Sequence, residues 1–303
     1  MSYYFYASIA ENVYYSMNQP AICQLSVVPL RAAASDKEEI VSQLLFGELV
    51  DVLEVSKSKK NWCRVRCDWD DYEGWMDTRQ LHFLTAAESE IYRENHAYCL
   101  DMTANLMNNN YFLPVLMGAT LPCFDGLNLH LGSKHYTFGG QAILRGGIEP
   151  TPDIVLKLAR RYLYAPYLWG GRSPFGIDCS GFTQIIFKMV GIKLRRDASQ
   201  QVEQGRTVDF IEQMQAADLA FFENEKGNIV HVGIVTDANH IIHAAGQVRI
   251  DRLDHYGIFN EALNIYSHKL RLIKRFLPTI ESQNPPIVEC LIEEVDTTQI
   301  SIF

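Results

Sequence analysis

Cys179 stands in LWGGRSPFGIDCSGFTQ, where glycines at 170, 171 and 176 let the chain bend tightly around one thiol. A thiol attacks as its thiolate, so a nucleophilic cysteine calls for a lowered pKa, which the unpaired N–H groups at a helix start supply. Asp178 reads as the N-cap of a helix whose apolar positions Phe182, Ile185, Ile186 and Met189 recur at helical spacing, with Gly191 past its end. Cys179 then falls in the first turn. Such a nucleophile also needs a histidine within hydrogen-bond reach and a third group to orient it. Residues 230–245, VHVGIVTDANHIIHAA, form a candidate hairpin with its turn at Asp237-Ala238-Asn239. With a three-residue turn, position 233 faces 243, so His231 and His243 share one face as diagonal neighbours while His240 points to the other. A register slip of one residue would separate the pair. A free cysteine or a lone strand histidine is more often structural, but together Cys179, His231 and His243 make a candidate catalytic set.

The elements that must hold these residues change character along the chain. Residues 21–84 carry short apolar runs between turn signals, and Trp62, Arg64 and Arg66 alternate with Cys63, Val65 and Cys67, which predicts a small β barrel. Residues 85–145 show a weaker version of the same pattern, in VLMGATLPCF and LNLHLGSKHYTFGG, with a turn at Asp125-Gly126. From residue 147 the texture shifts: Thr151 as cap, Pro152 at the first position, Asp153 near the start and Arg160 and Arg161 near the end predict a helix over 152–164. Strand-like runs come after the cysteine helix at 218–223, 230–236, 240–245, 247–252 and 269–276. The expected plan is α+β: an N-terminal segment and first β barrel over 1–84, a second β module over 85–146, a catalytic domain over 147–278 and an acidic tail over 279–303.

A chain of 303 residues, 48% hydrophobic and 21% charged, suits two or three globular domains. Its net charge of -9, with no basic block longer than residues 57–60, offers no footprint for nucleic acid. The start MSYYFYASIAENVYY lacks the basic and apolar regions of a secretory signal, and no run of ~18 apolar residues predicts a membrane span. The sequence as it stands predicts a cytoplasmic protein, with a periplasmic or exported one as the alternative if a leader was removed. Seven scattered cysteines fit a reducing compartment, and Cys63 and Cys67 have no second ligand pair at zinc spacing. No metal or other cofactor is expected.

The motif around Cys179, with HVGIV beginning 52 residues later, a second histidine 12 residues after that, and the ADLAFF strand, resembles the NlpC/P60 family of papain-like cysteine peptidases. The resemblance covers roughly 147–276 and implies Cys179 as nucleophile, His231 as general base and His243 as the polar third member. Ala217 departs from the family pattern, which often has glycine before Asp218. The N-terminal part resembles the bacterial SH3-like modules of γ-D-glutamyl-L-diamino acid endopeptidases, in which the first module closes one end of the groove. That resemblance maps Glu39 in EEIVSQLLFGE and Tyr72 in DDYEGW onto residues that meet a free L-Ala amine, with Glu38 as the competing assignment. It also maps Tyr167, Trp169, Asp178, Ser180 and Asp197 onto the groove, and Ala198 where some relatives have serine, so that only its backbone could contribute.

The implied fold is a papain-like catalytic domain preceded by two small SH3-like β-barrel modules, and the implied partners are L-Ala-γ-D-Glu-diamino acid stem peptides of peptidoglycan. The implied chemistry is attack of a Cys179 thiolate, paired with a His231 imidazolium, on the γ-carbonyl of D-Glu. An amidase or acyltransferase of the same fold, and a non-catalytic wall-peptide binder, are the competing classes. The diamino acid accepted and the oligomeric state are left open.

Overall fold

Cys63, Val65 and Cys67 are buried while Arg64 and Arg66 face outward, as period-two patterning requires. In the computed structural model, which describes residues 18–59, 61–237 and 239–278, seven antiparallel strands wrap over that face. They are β1 (Gln19–Cys23), β2 (Val27–Arg31), β3 (Ile40–Leu45), β4 (Leu49–Val55), β5 (Trp62–Cys67), β6 (Glu73–Asp77) and β7 (Leu81–Phe83), ordered β3-β2-β6-β5-β4-β1-β7. Val28, Leu30, Leu44, Val52, Val65 and Met76 fill a core of their own. The expected tail and Cys290 lie outside the described residues.

The second unit opens with a helix the sequence reading did not anticipate, α1 (Ala86–Glu94), although Thr85 and Glu88 form a reciprocal capping box at its start. Seven strands come next: β8 (His96–Cys99), β9 (Thr103–Asn108), β10 (Tyr111–Leu116), β11 (Thr120–Pro122), β12 (Asn128–Leu131), β13 (Lys134–Phe138) and β14 (Ala142–Leu144). They make two small antiparallel sheets, β10-β9-β13-β12 and β11-β8-β14. The turn at Asp125-Gly126 is present, with Asp125 Oδ1 accepting from the N–H groups of Leu127 and Asn128. This unit shares its core with the third one, and the barrel edge joins it: Leu106, Leu121 and Phe138 belong to the same buried cluster as Phe182, Ile185 and Phe187, together with Ile22, Leu45 and Phe46.

In the third unit Thr151 caps α2 (Pro152–Arg161), which ends short of residue 164, where Tyr164 takes a φ of 70° that no helix continues. A two-residue hairpin, β15 (Arg172–Ser173) with β16 (Gly176–Ile177), leads into α3 (Cys179–Met189) and then the single turn α4 (Ala198–Gln201). Seven antiparallel strands complete it: β17 (Arg206–Val208), β18 (Leu219–Glu223), β19 (Ile229–Asp237), β20 (His240–Ala245), β21 (Gln247–Leu253), β22 (Gly257–Asn260) and β23 (Ile265–Arg275). Their order is β17-β23-β18-β19-β20-β21-β22. The five expected strands are all here; β17 and β22 are short additions. Ala217 sits at φ 69°, a left-handed position suited to glycine, so the departure from the family pattern leaves a strained turn costing about 1 kcal/mol.

Every residue of α3 is buried, although its sequence reads as amphipathic. One face packs on β19 and β20. The polar face is covered by the barrel: Gln184 Nε2 donates to Asp70 at 2.7 Å, and Lys188 Nζ donates to Glu48 at 2.6 Å. Arg172 Nη1 and Nη2 close on the same Glu48 carboxylate at 2.8 and 3.0 Å. Burial alone would raise the Glu48 carboxyl; Arg172, then Lys188, overcome it and hold it at about 2. The barrel is thus locked to α3, the helix that begins at Cys179, through a buried ion cluster.

Candidate active site

Asp178 organises the approach to Cys179. Its Oδ1 accepts from Gly181 N at 2.6 Å and caps α3, while Oδ2 accepts from Gly170 N at 2.9 Å and draws in the glycine loop. Gly170 has a φ of 75°, and a Cβ there would lie 2.2 Å from the carbonyl oxygen of Ile40, so loop and barrel meet backbone to backbone. Arg196, only 1% exposed, clamps the same carboxylate from the other side with Nη1 to Oδ1 at 3.1 Å and Nη2 to Oδ2 at 2.6 Å. It also reaches Ser180 Oγ at 2.9 Å and Ser42 Oγ at 3.0 Å. Sequence reading passed over Arg196 because LRRDAS carries no periodic or motif signal that separates it from surface arginines.

The Cys179 thiol stands at the helix start, as the sequence predicts, but it is largely buried there, and the burial disfavours a resting thiolate. Burial, then the Asp178 carboxylate, push it up to about 12, outweighing the Val232 and Ser180 N–H groups and Arg196 that favour the anion. His231 is held well below the usual histidine range by burial first, then by His243 and His268. Both shifts favour a neutral thiol and a neutral imidazole in the free protein over the expected thiolate–imidazolium pair, so proton transfer is expected to accompany attack.

Register brings the histidines together. Gly233 pairs with His243, as expected, and His231 Nε2 lies 2.8 Å from His243 Nδ1. Gly233 is needed there, since a Cβ would fall 2.8 Å from His243 Cβ. The hairpin is tighter than a three-residue turn, because Asp237 pairs with His240 after a register shift beyond Val235; the slip is confined to the tip. His240 points away and bonds Asp237 at 2.9 Å. Two residues that sequence reading missed complete the group. His243 Nε2 lies 2.9 Å from Asp251 Oδ2 on β21, and His268 on β23 stacks on His231 with ring centroids 4.1 Å apart. The three histidines bring nitrogens within 4.8 Å of one another. Both nitrogens of His243 are already engaged and two of the rings are stacked, so the three do not converge as free metal ligands.

Glu39, Tyr72, Tyr167, Trp169, Asp178, Ser180, Asp197 and Ala198 line a single groove of about 450 Å³ with Cys179, Val41 and Val230. The barrel supplies Glu39, Val41 and Tyr72. Glu39 rather than Glu38 lines it, and Trp169 Nε1 donates to Glu39 Oε1 at 2.6 Å. The Tyr72 hydroxyl bonds Asp197, whose carboxyl is raised by burial against the pull of Arg196. Three carboxylates, Glu39, Asp178 and Asp197, thus line the groove while the one guanidinium, Arg196, is bonded to Asp178, and the groove favours a cation.

The fold and this groove define a class. A model of the NlpC/P60 family matches residues 164–266, and a model of the bacterial dipeptidyl-peptidase Sh3 domain matches residues 30–81. The chain belongs to the NlpC/P60 peptidase family. It is 40% identical over 242 residues to a γ-D-glutamyl-L-lysine dipeptidyl-peptidase of Bacillus cereus (69% of this chain, 68% of that one). It is 31% identical over 222 residues to the Bacillus subtilis protein of the same name (68% and 72%). A crystal structure of an NlpC/P60 family protein from Bacillus cereus superposes with a TM-score of 0.72 over 86% of this chain and 100% of that one, at 24% identity. Among the described residues no helix is long and apolar enough to cross a membrane.

Proposed function

We propose that this chain hydrolyses the γ-D-glutamyl bond to a diamino acid in peptidoglycan-derived peptides that begin with a free L-Ala. The observation that carries the reading is the excess of carboxylate in a groove that joins Cys179 to the barrel residues Glu39 and Tyr72. His231 accepts the thiol proton as Cys179 Sγ attacks the γ-carbonyl carbon, and N–H groups near the helix start receive the developing oxyanion. Collapse expels the diamino acid, whose amine takes the proton from His231, leaving a thioester that water hydrolyses with His231 again as base. An ammonium opposite Glu39 and Asp197 anchors the other end. An acylated or glycan-linked N-terminus would leave those carboxylates desolvated and unpaired, so the enzyme acts on peptides already freed from the sugar chains. Relatives named as γ-D-glutamyl-L-lysine dipeptidyl-peptidases support the same bond.

The test compares L-Ala-γ-D-Glu-diamino acid with its N-acetylated form. Glu39→Gln is expected to raise KM for the free-amine peptide by about 10- to 100-fold and to leave the acetylated one nearly unchanged; equal losses reject the amine pocket. The pH profile adds an independent check. With His231 depressed by burial, it stays neutral and competent through pH 6.5, so kcat/KM should fall only well below that value. The thiol, up at about 12, imposes no limb near neutrality. The alkaline limb should instead track the substrate ammonium, near pH ~8, and vanish for the acetylated peptide.

A further inference from the structure

We propose that Asp251 is a positioning residue which, acting through His243, fixes the tautomers of both histidines so that His231 keeps a bare Nδ1 for the Cys179 proton. The inference rests on the reading that Cys179 and His231 react, and it comes from two consecutive contacts. An ionised carboxylate only accepts, so the 2.9 Å contact from Asp251 Oδ2 obliges His243 Nε2 to carry its proton. His243 Nδ1 is then a lone pair, and the 2.8 Å contact obliges His231 Nε2 to donate into it. His231 Nδ1 is left unprotonated, as a general base requires.

The groups around the relay favour this direction. Arg249 Nη2 donates to Asp251 Oδ1 at 2.7 Å, and Nε lies 2.7 Å from Oδ2. Burial would raise the Asp251 carboxyl, but His243 and Arg249 bring it below the usual carboxylate range. His268, from β23, is pushed down to about 4 by burial and then by His243, with Asp251 opposing, so it stacks on His231 as a neutral ring. Cys179, from α3, adds a neutral thiol. With the opposite tautomer on His243, its Nε2 lone pair would confront the carboxylate, and the base would offer the thiol an N–H instead of an acceptor.

Two variants and one spectrum test this. In protein labelled with 15N-histidine, long-range proton–nitrogen correlations should show both His231 and His243 protonated on Nε2; a proton on His243 Nδ1 overturns the proposal. Asp251→Ala should mix the tautomers and lower kcat about 10²- to 10³-fold with KM changed less than about threefold. Retained tautomers with full kcat, or a loss confined to KM, overturn it. If that variant does not fold, Asp251→Asn carries the kinetic test, because an amide held by Arg249 must turn its NH₂ toward a donor on one side or the other. A wild-type protein that cleaves no peptide of the proposed class would reject the substrate reading, while the spectrum still decides the tautomers.

Discussion

The Cys179→Ala protein is expected to fold and to lose peptide turnover by at least ~10⁴-fold. No other group lining the groove beside the helix start is a nucleophile of comparable strength, and the histidine relay can only move a proton that the thiol supplies. The fold should survive because the capping is done elsewhere: Asp178 holds Gly181 N and Gly170 N, and Arg196 holds Asp178. Trading a small, 8% exposed thiol for a methyl should change stability by about 1 kcal/mol. Peptide binding measured by calorimetry should persist with turnover gone. Retained turnover in a folded variant would remove Cys179 from the mechanism.

Glu48→Ala should cost about 3–5 kcal/mol of folding stability, the usual penalty for stranding buried cations. The side chains of Glu48, Arg172 and Lys188 are 6%, 4% and 2% exposed, so removing the carboxylate leaves two buried cations without it. Because Arg172 also takes Gln43 Oε1 on its backbone N and gives Nε to Gln184, the damage falls on the seam between barrel and α3, and the groove should loosen with it. Denaturant unfolding and kcat/KM should therefore fall together; a change under about 1 kcal/mol would mean the cluster adds little net stability. Acid unfolding separates its parts. His231, His243 and His268 all have folded values below 6.5, so stability should decline as pH falls beneath 6.5 and the unfolded chain takes up protons. Glu48 is lowered from 4.5 to about 2, so its contribution is complete above 4.5 and disappears as pH drops toward 2.

Features set by neighbouring residues were legible in the sequence. The Asp178 cap, the start of α3 at Cys179 and the pairing of Gly233 with His243 depend on a few residues of local chain, and they came through in place. What depends on distant chain did not. Lys188 reads as the polar side of a helix, yet its partner Glu48 lies 140 residues away, and only docking of the barrel brings the two together. Asp251 and His268 sit on strands whose own patterns say nothing of the sheet order that brings them to His243 and His231. The thiol's high pKa likewise belongs to burial by the assembled units, which outweighs the helix-start effect that the local sequence announces. Resemblance to a known family supplied what physics alone left open, the pairing of Glu39 and Tyr72 with a groove more than a hundred residues further on.

Trapping the acyl-enzyme tests the central claim most directly. Acid quenching within the first turnover of L-Ala-γ-D-Glu-diamino acid, with peptide mapping of the product, should find Cys179 carrying one Ala-Glu dipeptidyl group as a thioester, with at least one equivalent of free diamino acid released per adduct. An adduct that retains the diamino acid, or one on any residue other than Cys179, would contradict it.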